Sequence, residues 1–309
     1  MNIVITGASG NFGRRAAELL LETLPAGNLI LVSRTPEKLS ELAAKGCIVR
    51  HGDFDDPASL AAAFQGGDRL LLISGTRVGK RIPQHGAAID AARQAGVGHI
   101  IYTSFIAADD PANLSEAVKD HRATEEMLRA SGVAWTALRD AQYADAVTDV
   151  IIHSLIKDGL MQSAAGDGKM PFIWRDDCVV AAVAVLLGAG HENKAYDLTG
   201  PDMISHRDIA ALAAGFFGHP VEYRQISPEA LYAIFDALGV PREPVDNFVA
   251  SGNPWNSDDM VSFDVAVRDG HFAVESNDFE RLTGRRPRSL RALFEAKADD
   301  IRAAREASA

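Results

Sequence analysis

Gly7, Gly10 and Gly13 stand three residues apart, directly after an apolar, β-branched run at residues 3–5. A strand that ends in glycines and feeds a helix leaves bare main-chain N–H groups at the helix N-terminus, with no side chain between them and a ligand. Such a turn is suited to holding a diphosphate. Within residues 6–13, TGASGNFG, the expected cradle consists of Gly7, Ser9, Gly10, Asn11, Phe12 and Gly13. A second strand expected at 28–33 ends in Arg34, with Lys38 one helical turn on and Arg14 across the cleft. An acid at that strand end would bind a ribose diol, whereas arginine can clamp a 2′-phosphate. The residues therefore predict a site for NADPH (NADP) rather than NADH.

Other polar and aromatic residues fall at the ends of later strands. Asp53 and Phe54 follow a strand at 47–50, where the aspartate either accepts from an adenine amino group or merely orders its loop, and the phenylalanine packs on the ring. Ser74 and Gly75 close a strand at 68–74, and the basic stretch 75–81 either passes the diphosphate or is solvated. Thr103 and Ser104 close a strand at 99–104, and Gln142 and Tyr143 follow one at 133–138. Phe105, Gln142, Tyr143, Phe172 and Trp174 are the expected pocket walls, since rings give flat substrates a stacking surface; Phe172 and Trp174 are alternatively core. Residues 253–256, NPWN, read as a lid edge or an ordinary surface loop.

These residues need a scaffold that brings strand ends together. Strands alternate with helices at about 13–24, 57–65, 82–95 and 115–131, which predicts an α/β fold. The expectation is a Rossmann-type doubly wound parallel sheet whose first strands run in the order 3-2-1-4-5, with the ligand crevice at their carboxyl ends. From about residue 145 the pattern changes, with a helix expected at 145–158, another at 177–188, a strand at 195–199, and smaller units beyond. The domain reading is 1–144 for the dinucleotide-binding domain, with 170–200 returning to its sheet, and 145–309 mainly for a smaller α/β substrate domain. The alanine-rich tail 295–309 reads as a surface helix.

With 47% hydrophobic and 24% charged residues, the 309-residue chain has ample material for a core. A net charge of −11 argues against a nucleic-acid partner. Cys47 and Cys178 form no metal-binding or disulfide framework. No apolar run reaches membrane-spanning length, and a strand begins at residue 2. The expectation is a cytoplasmic monomer or homodimer with no metal, no membrane contact and a small-molecule substrate.

TGASGNFG, SRTPEKL, GDFDDPASLAAAF, YTSF, HRATEEMLRASGVAWTALRDAQY and GHENKAYDLTG together resemble the NmrA-like atypical short-chain dehydrogenase/reductases. The likeness is closest to the branch holding NADPH:quinone oxidoreductase 2, triphenylmethane reductase and azoreductases, and runs from residue 1 to about 239 and more loosely to 294. It implies hydride transfer from NADPH to a quinone-like, azo or other conjugated aromatic acceptor. Ordinary short-chain dehydrogenases pair a tyrosine with a lysine four residues on, and none of the five tyrosines here has one. An electron-poor acceptor takes hydride without an obligatory strong acid, so positioning in a dry pocket carries the burden. By motif position the resemblance places Tyr143 near the nicotinamide as a catalytic candidate, with no obvious activating partner in the sequence. His121, where isoflavone-type reductases carry a lysine, is the first candidate proton donor, or else a cofactor contact or helix-face residue. Two other readings stand beside this one, a lignan- or isoflavonoid-type reductase and a non-catalytic NADP(H)-sensing regulator. If His121 is the donor, His121→Ala lowers turnover with little change in NADPH affinity.

Overall fold

A computed structural model describes residues 1–151, 159–245 and 256–308. The opening apolar run is β1 (Ile3–Ile5), and the glycine turn leads into α1 (Asn11–Leu21). The alternation continues through β2 (Leu29–Ser33), α2 (Ser40–Ala44), β3 (Ile48–His51), α3 (Pro57–Phe64) and β4 (Arg69–Leu72). Then come α4 (Arg81–Gln94), β5 (His99–Phe105), α5 (Glu116–Ala130) and β6 (Ala134–Asp140). Beyond β6 lie β7 (Gln142–Tyr143), a turn α6 (Ala144–Ala146), β8 (Leu160–Ser163), β9 (Lys169–Ile173), α7 (Arg175–Leu187) and β10 (Lys194–Leu198). The chain continues with β11 (Met203–Ser205), α8 (His206–Phe217), β12 (Glu222–Gln225), α9 (Pro228–Ala237) and α10 (Ser257–Arg268), and ends in α11 (Asp278–Thr283), α12 (Leu290–Ala296) and α13 (Ala298–Ser308).

Seven parallel strands form one sheet in the order β10-β6-β5-β4-β1-β2-β3. The first five take the expected 3-2-1-4-5 order, which right-handed crossovers require. Both sheet faces are covered, so these strands read as continuous apolar runs. On one face Val4, Ile30, Leu70 and Ile100 pack with Leu60, Phe64, Ile89 and Leu128 of α3, α4 and α5. On the other, Ile3, Ile5, Leu31 and Leu71 pack with Ala16, Leu20, Cys178 and Val185 of α1 and α7. Each large apolar side chain so buried contributes about 2 kcal/mol.

Several expectations shift. Residues 170–200 do not return to the large sheet as a whole. α7 and β10 do, but β9 pairs with β11 and β7 in a separate three-stranded sheet. β8 and β12 form a further parallel pair. The helix expected at 145–158 starts as α6 and a π-type turn, Val147–Ile151, and residues 152–158 lie outside the described residues. Of the NPWN stretch only Asn256 is described; it caps α10 and is buried, its side chain donating to the Val78 carbonyl. The tail is helical as expected, but Ile301 is buried against the core rather than on the surface.

The glycine turn is the tightest point of the fold. Gly7 has φ +59, a left-handed conformation that glycine tolerates without strain. A Cβ on Gly13 would lie 2.6 Å from the Gly7 carbonyl oxygen and 2.7 Å from the Ala8 Cα, both main chain and unable to yield cheaply. Gly13→Ala is expected to cost about 1–3 kcal/mol and to weaken dinucleotide binding at least tenfold, read by denaturant unfolding and by fluorescence titration with NADPH.

Candidate active site

The carboxyl ends of β1, β2, β4, β5 and β6 open on one edge, and the glycine turn lies at the centre of it. Gly7, Gly10 and Asn11 are exposed there. No side chain caps α1, whose first helical hydrogen bond runs from the Arg14 N–H to the Gly10 carbonyl. The amides of Asn11, Phe12 and Gly13 therefore precede the helix's own bonding pattern, and the Asn11 end faces solvent. Phe12 itself is buried and anchors the helix to the core. The turn is tied to the end of β2 by the Ala8 N–H to the Val32 carbonyl (3.1 Å) and by Ser9 Oγ to Ser33 Oγ (2.8 Å). Arg34 follows immediately, exposed and with no partner among the described residues. The Lys38 side chain is exposed and likewise unpartnered there, while Arg14 donates to the Lys38 carbonyl at 2.6 Å. Uncapped amides beside a partnerless guanidinium and ammonium fit a diphosphate and an added phosphate on the same ligand.

The remaining predicted residues divide. Asp53 orders its own loop, accepting from the Asp55 N–H at 3.0 Å, and Phe54 sets its edge against His85. Thr103 Oγ1 accepts from the Ser74 N–H at 2.9 Å, which locks the ends of β4 and β5 together. Gly75 donates to His85 Nε2 at 3.0 Å. Ser104 does not reach the crevice. Its hydroxyl donates to Glu125 at 2.7 Å within the buried α5 face, because it shares the sheet face of Tyr102. The basic loop after β4 is largely self-paired, with Arg77 bound to Asp55 and Arg81 to His121.

His121 is placed differently from a proton donor at the crevice. It is 3% exposed, lies between Tyr102 and Phe105, and stacks on Phe105 with ring centroids 5.9 Å apart. Arginine can only donate, so Arg81 Nη1 at 3.2 Å makes His121 Nε2 an acceptor. The ring proton then sits on Nδ1 and is given to Tyr102 Oη at 2.7 Å. Burial first, then Arg81, pushes the imidazole well below its usual value, so it stays neutral with its N–H engaged. His85, driven by burial down to about 3, is neutral too and gives its Nδ1 proton to Thr124 at 2.9 Å.

Phe172 and Trp174 are not open pocket walls. Phe172 is 2% exposed in the main core. Trp174 donates to the Ser289 carbonyl at 2.8 Å, and the Arg288 guanidinium covers its ring at 3.9 Å. Both belong to the junction between the large sheet and the C-terminal segment, which periodicity could not distinguish from a stacking surface. Phe105 remains at the edge, half-buried and edge-on to Phe272. Gln142 and Tyr143, both half-buried, lie where β6 leaves the sheet.

One candidate residue is absent from the sequence analysis. Asp140, the last residue of β6, is 2% exposed and accepts from Tyr143 Oη at 2.6 Å. Its other oxygen, Oδ1, has no hydrogen-bond partner among the described residues. Burial lifts this carboxyl to about 7 against the opposing pull of the Tyr143 and Cys178 bonds. The available signal was a carboxylate three residues before a tyrosine at a strand's carboxyl end.

Ser163, His206 and Asp264 share the composition of a hydrolytic triad but not its order. Ser163 Oγ gives its proton to Asp264 at 2.8 Å and accepts from the Ala165 N–H at 2.9 Å, so the histidine, 2.7 Å away, can only donate. Among the described residues no group of three His, Cys, Asp or Glu could hold a metal ion, and no helix is long and apolar enough to cross a membrane.

The fold and the uncapped glycine turn define a nucleotide-binding oxidoreductase scaffold, and residues 7–162 match the NAD(P)H-binding family model. The chain belongs to that family and is an NAD(P)H-dependent reductase. Over 240 residues it is 39% identical to quinone oxidoreductase 2 of Escherichia coli K12, covering 77% of this chain and 82% of the relative. The crystal structure of the NADPH-dependent E. coli quinone oxidoreductase with NADPH superimposes with a TM-score of 0.85 at 34% identity, covering 95% and 99% of the two chains. The NAD(P)H azoreductase of Xenophilus azovorans is 29% identical, over 79% of this chain and 84% of its own. Citrobacter sp. triphenylmethane reductase with NADP(H) has a TM-score of 0.81 at 30% identity, over 96% and 99%.

Removing the His121 ring leaves Arg81 and Tyr102 without their buried partner. His121→Ala is therefore expected to lower stability by about 1–3 kcal/mol, seen as a lower urea midpoint, while the folded fraction keeps most of its turnover. For Asp140 the sign follows from a folded-state value of about 7 lying above the usual aspartate value of about 3.9. Its stabilising contribution is fully present below about pH 4 and is lost as pH rises through 7. Asp197 and Asp259, lifted by burial to about 6, act in the same direction. Urea unfolding at several pH values should show stability falling from pH 5 to 8, and Asp140→Asn should flatten that fall by a few kcal/mol.

Proposed function

We propose that this protein transfers hydride from NADPH to a quinone, azo or other conjugated aromatic acceptor. The observation that carries the reading is the bare N-terminus of α1 beside Arg34, which has no partner among the described residues, in a chain 39% identical to a quinone oxidoreductase. When bound, NADPH supplies the hydride. The chain's own part is to hold and orient. The amides of residues 11–13 take the diphosphate, and Arg34 with Lys38 takes the 2′-phosphate. Gln142 and Tyr143 border the reacting end, and Phe105 offers a ring to a flat acceptor. Thr103 and Ser74 support this edge from behind by fixing two strand ends to one another.

The second charge on Arg34 and Lys38 has no use in binding an unphosphorylated ribose, so selectivity is expected to rest on them. The test follows cofactor absorbance with a panel of quinones, azo dyes and triphenylmethane dyes. NADPH should be consumed, with kcat/KM at least tenfold above that for NADH. Arg34→Ala should raise KM for NADPH about tenfold and leave that for NADH nearly unchanged. An NADH preference in the wild type would overturn the assignment of Arg34.

A further inference from the structure

Adding hydride to a quinone or azo bond leaves an anionic oxygen or nitrogen that needs a proton. His121 offers none towards the crevice, its N–H being given to Tyr102. At the exit of β6 the structure provides a different pair. Tyr143 is half-buried at the sheet edge, and its Oη lies 2.6 Å from Oδ2 of the buried Asp140. We propose that Asp140 stores the proton that Tyr143 delivers to the reduced acceptor, so that the two residues form a proton relay. The inference rests on the reductase reading above.

The geometry gives the pair two states. With Asp140 ionised, the tyrosine hydroxyl is spent on the carboxylate and points inward, as observed. With Asp140 protonated, its O–H donates to Tyr143 Oη and frees the phenolic hydrogen for the acceptor. As hydride from the nicotinamide cofactor brings two electrons to the acceptor, the Tyr143 O–H bond breaks and an acceptor O–H or N–H bond forms. The Asp140 O–H bond breaks as a new Tyr143 O–H bond forms. Asp140 ends as carboxylate, and water returns one proton through Tyr143 once product leaves. No tyrosinate accumulates, which matters because burial, and then the adjacent carboxylate, hold this phenol well above its usual range.

The other groups facing the pair are set. The Cys178 thiol is pushed well up by burial and by Asp140, so it stays protonated. Asp145 is held by Arg175 at 2.9 Å, and Asp177 by Arg285 at 2.7 Å and by Arg288. Asp140 is thus the member placed to titrate near neutrality. Asp140 acts through Tyr143, so it is a positioning and proton-storing residue, and Tyr143 is the catalytic one.

The test begins on protein without cofactor or acceptor. Infrared difference spectra across a pH titration should show a buried carboxylic-acid C=O component lost near pH 7, after the Asp197 and Asp259 components are lost near pH 6. Asp140→Asn should abolish the component lost near pH 7, and Tyr143→Phe should shift its titration to higher pH by removing the bond that favours the carboxylate. With NADPH and a quinone, wild-type kcat should fall tenfold per pH unit above that midpoint. Asp140→Asn should make kcat flat there and at least tenfold lower at pH 6, with KM for NADPH unchanged. Should Asp140→Asn not fold, Tyr143→Phe decides, through its shifted band and a kcat lowered at least tenfold. A wild-type pH profile in Asp140→Asn, or a component lost near pH 7 that survives it, overturns the relay alone. Wild-type protein that consumes NADPH with no acceptor overturns the functional reading and the relay together.

Discussion

The approach of α1 to the exit of β1 is the constraint on which the site depends. Where Gly13 passes the Gly7 carbonyl there is no space for even one methyl group. Two main-chain segments in such contact fix the direction of α1, and with it the direction of its free amides. The same turn carries Ala8 and Ser9 to Val32 and Ser33, so the end of β2 is held beside it. Arg34 therefore owes its position to a backbone packing event twenty residues earlier. A helix N-terminus attracts anions wherever it is exposed; here the packing also sets a positive side chain, Arg34, at the end of the neighbouring strand.

A second organising feature is the polar stripe that α5 turns towards the sheet. Asp120, His121, Thr124 and Glu125 are buried where an amphipathic helix would ordinarily place leucines. Each finds a partner: Gly79 N–H on Asp120, Arg81 on His121, His85 on Thr124, and a bidentate Arg139 with Ser104 on Glu125. Burying such groups adds little net stability, since desolvation offsets most of the attraction. Their effect is geometric. The Glu125–Arg139 pair joins α5 to the end of β6, and the Arg81–His121–Tyr102 chain joins α4, α5 and β5. Strand ends that must present side chains to a ligand are thereby held in register with one another.

The C-terminal segment is attached to the sheet in a comparable way. Asp177, fully buried at the start of α7, receives Arg285 and Arg288, and neighbouring Asp176 joins Arg288 to Arg15 on α1. Trp174 is clamped in the same junction. Asp140 and Cys178 meet close by, under the tyrosine that borders the crevice. Asp140 is desolvated there, at the end of β6 where α7 packs on the large sheet.

Local signals in the chain were enough for the parallel sheet, its strand order, the glycine turn and Arg34. Each depends on residues adjacent in sequence: a β-branched run, glycines at fixed spacing, a charge at a strand end. Crossover handedness then leaves one arrangement for the first five strands. What only the tertiary structure decided is which side of a strand or helix a polar group occupies and what covers it. Ser104 and Thr103 are neighbours in sequence yet face opposite sides of the sheet, so one binds Glu125 and the other holds Ser74. His121 looked available because a histidine on a helix carries no mark of the arginine, forty residues earlier, that occupies its second nitrogen. Asp140 looked unremarkable because nothing near it in sequence shows that its carboxyl is buried or that the Cys178 thiol, from a distant helix, is bonded to it. Protonation state and exposure are set by long-range packing, and for that reason the chemistry of this site could not be read from the order of its residues.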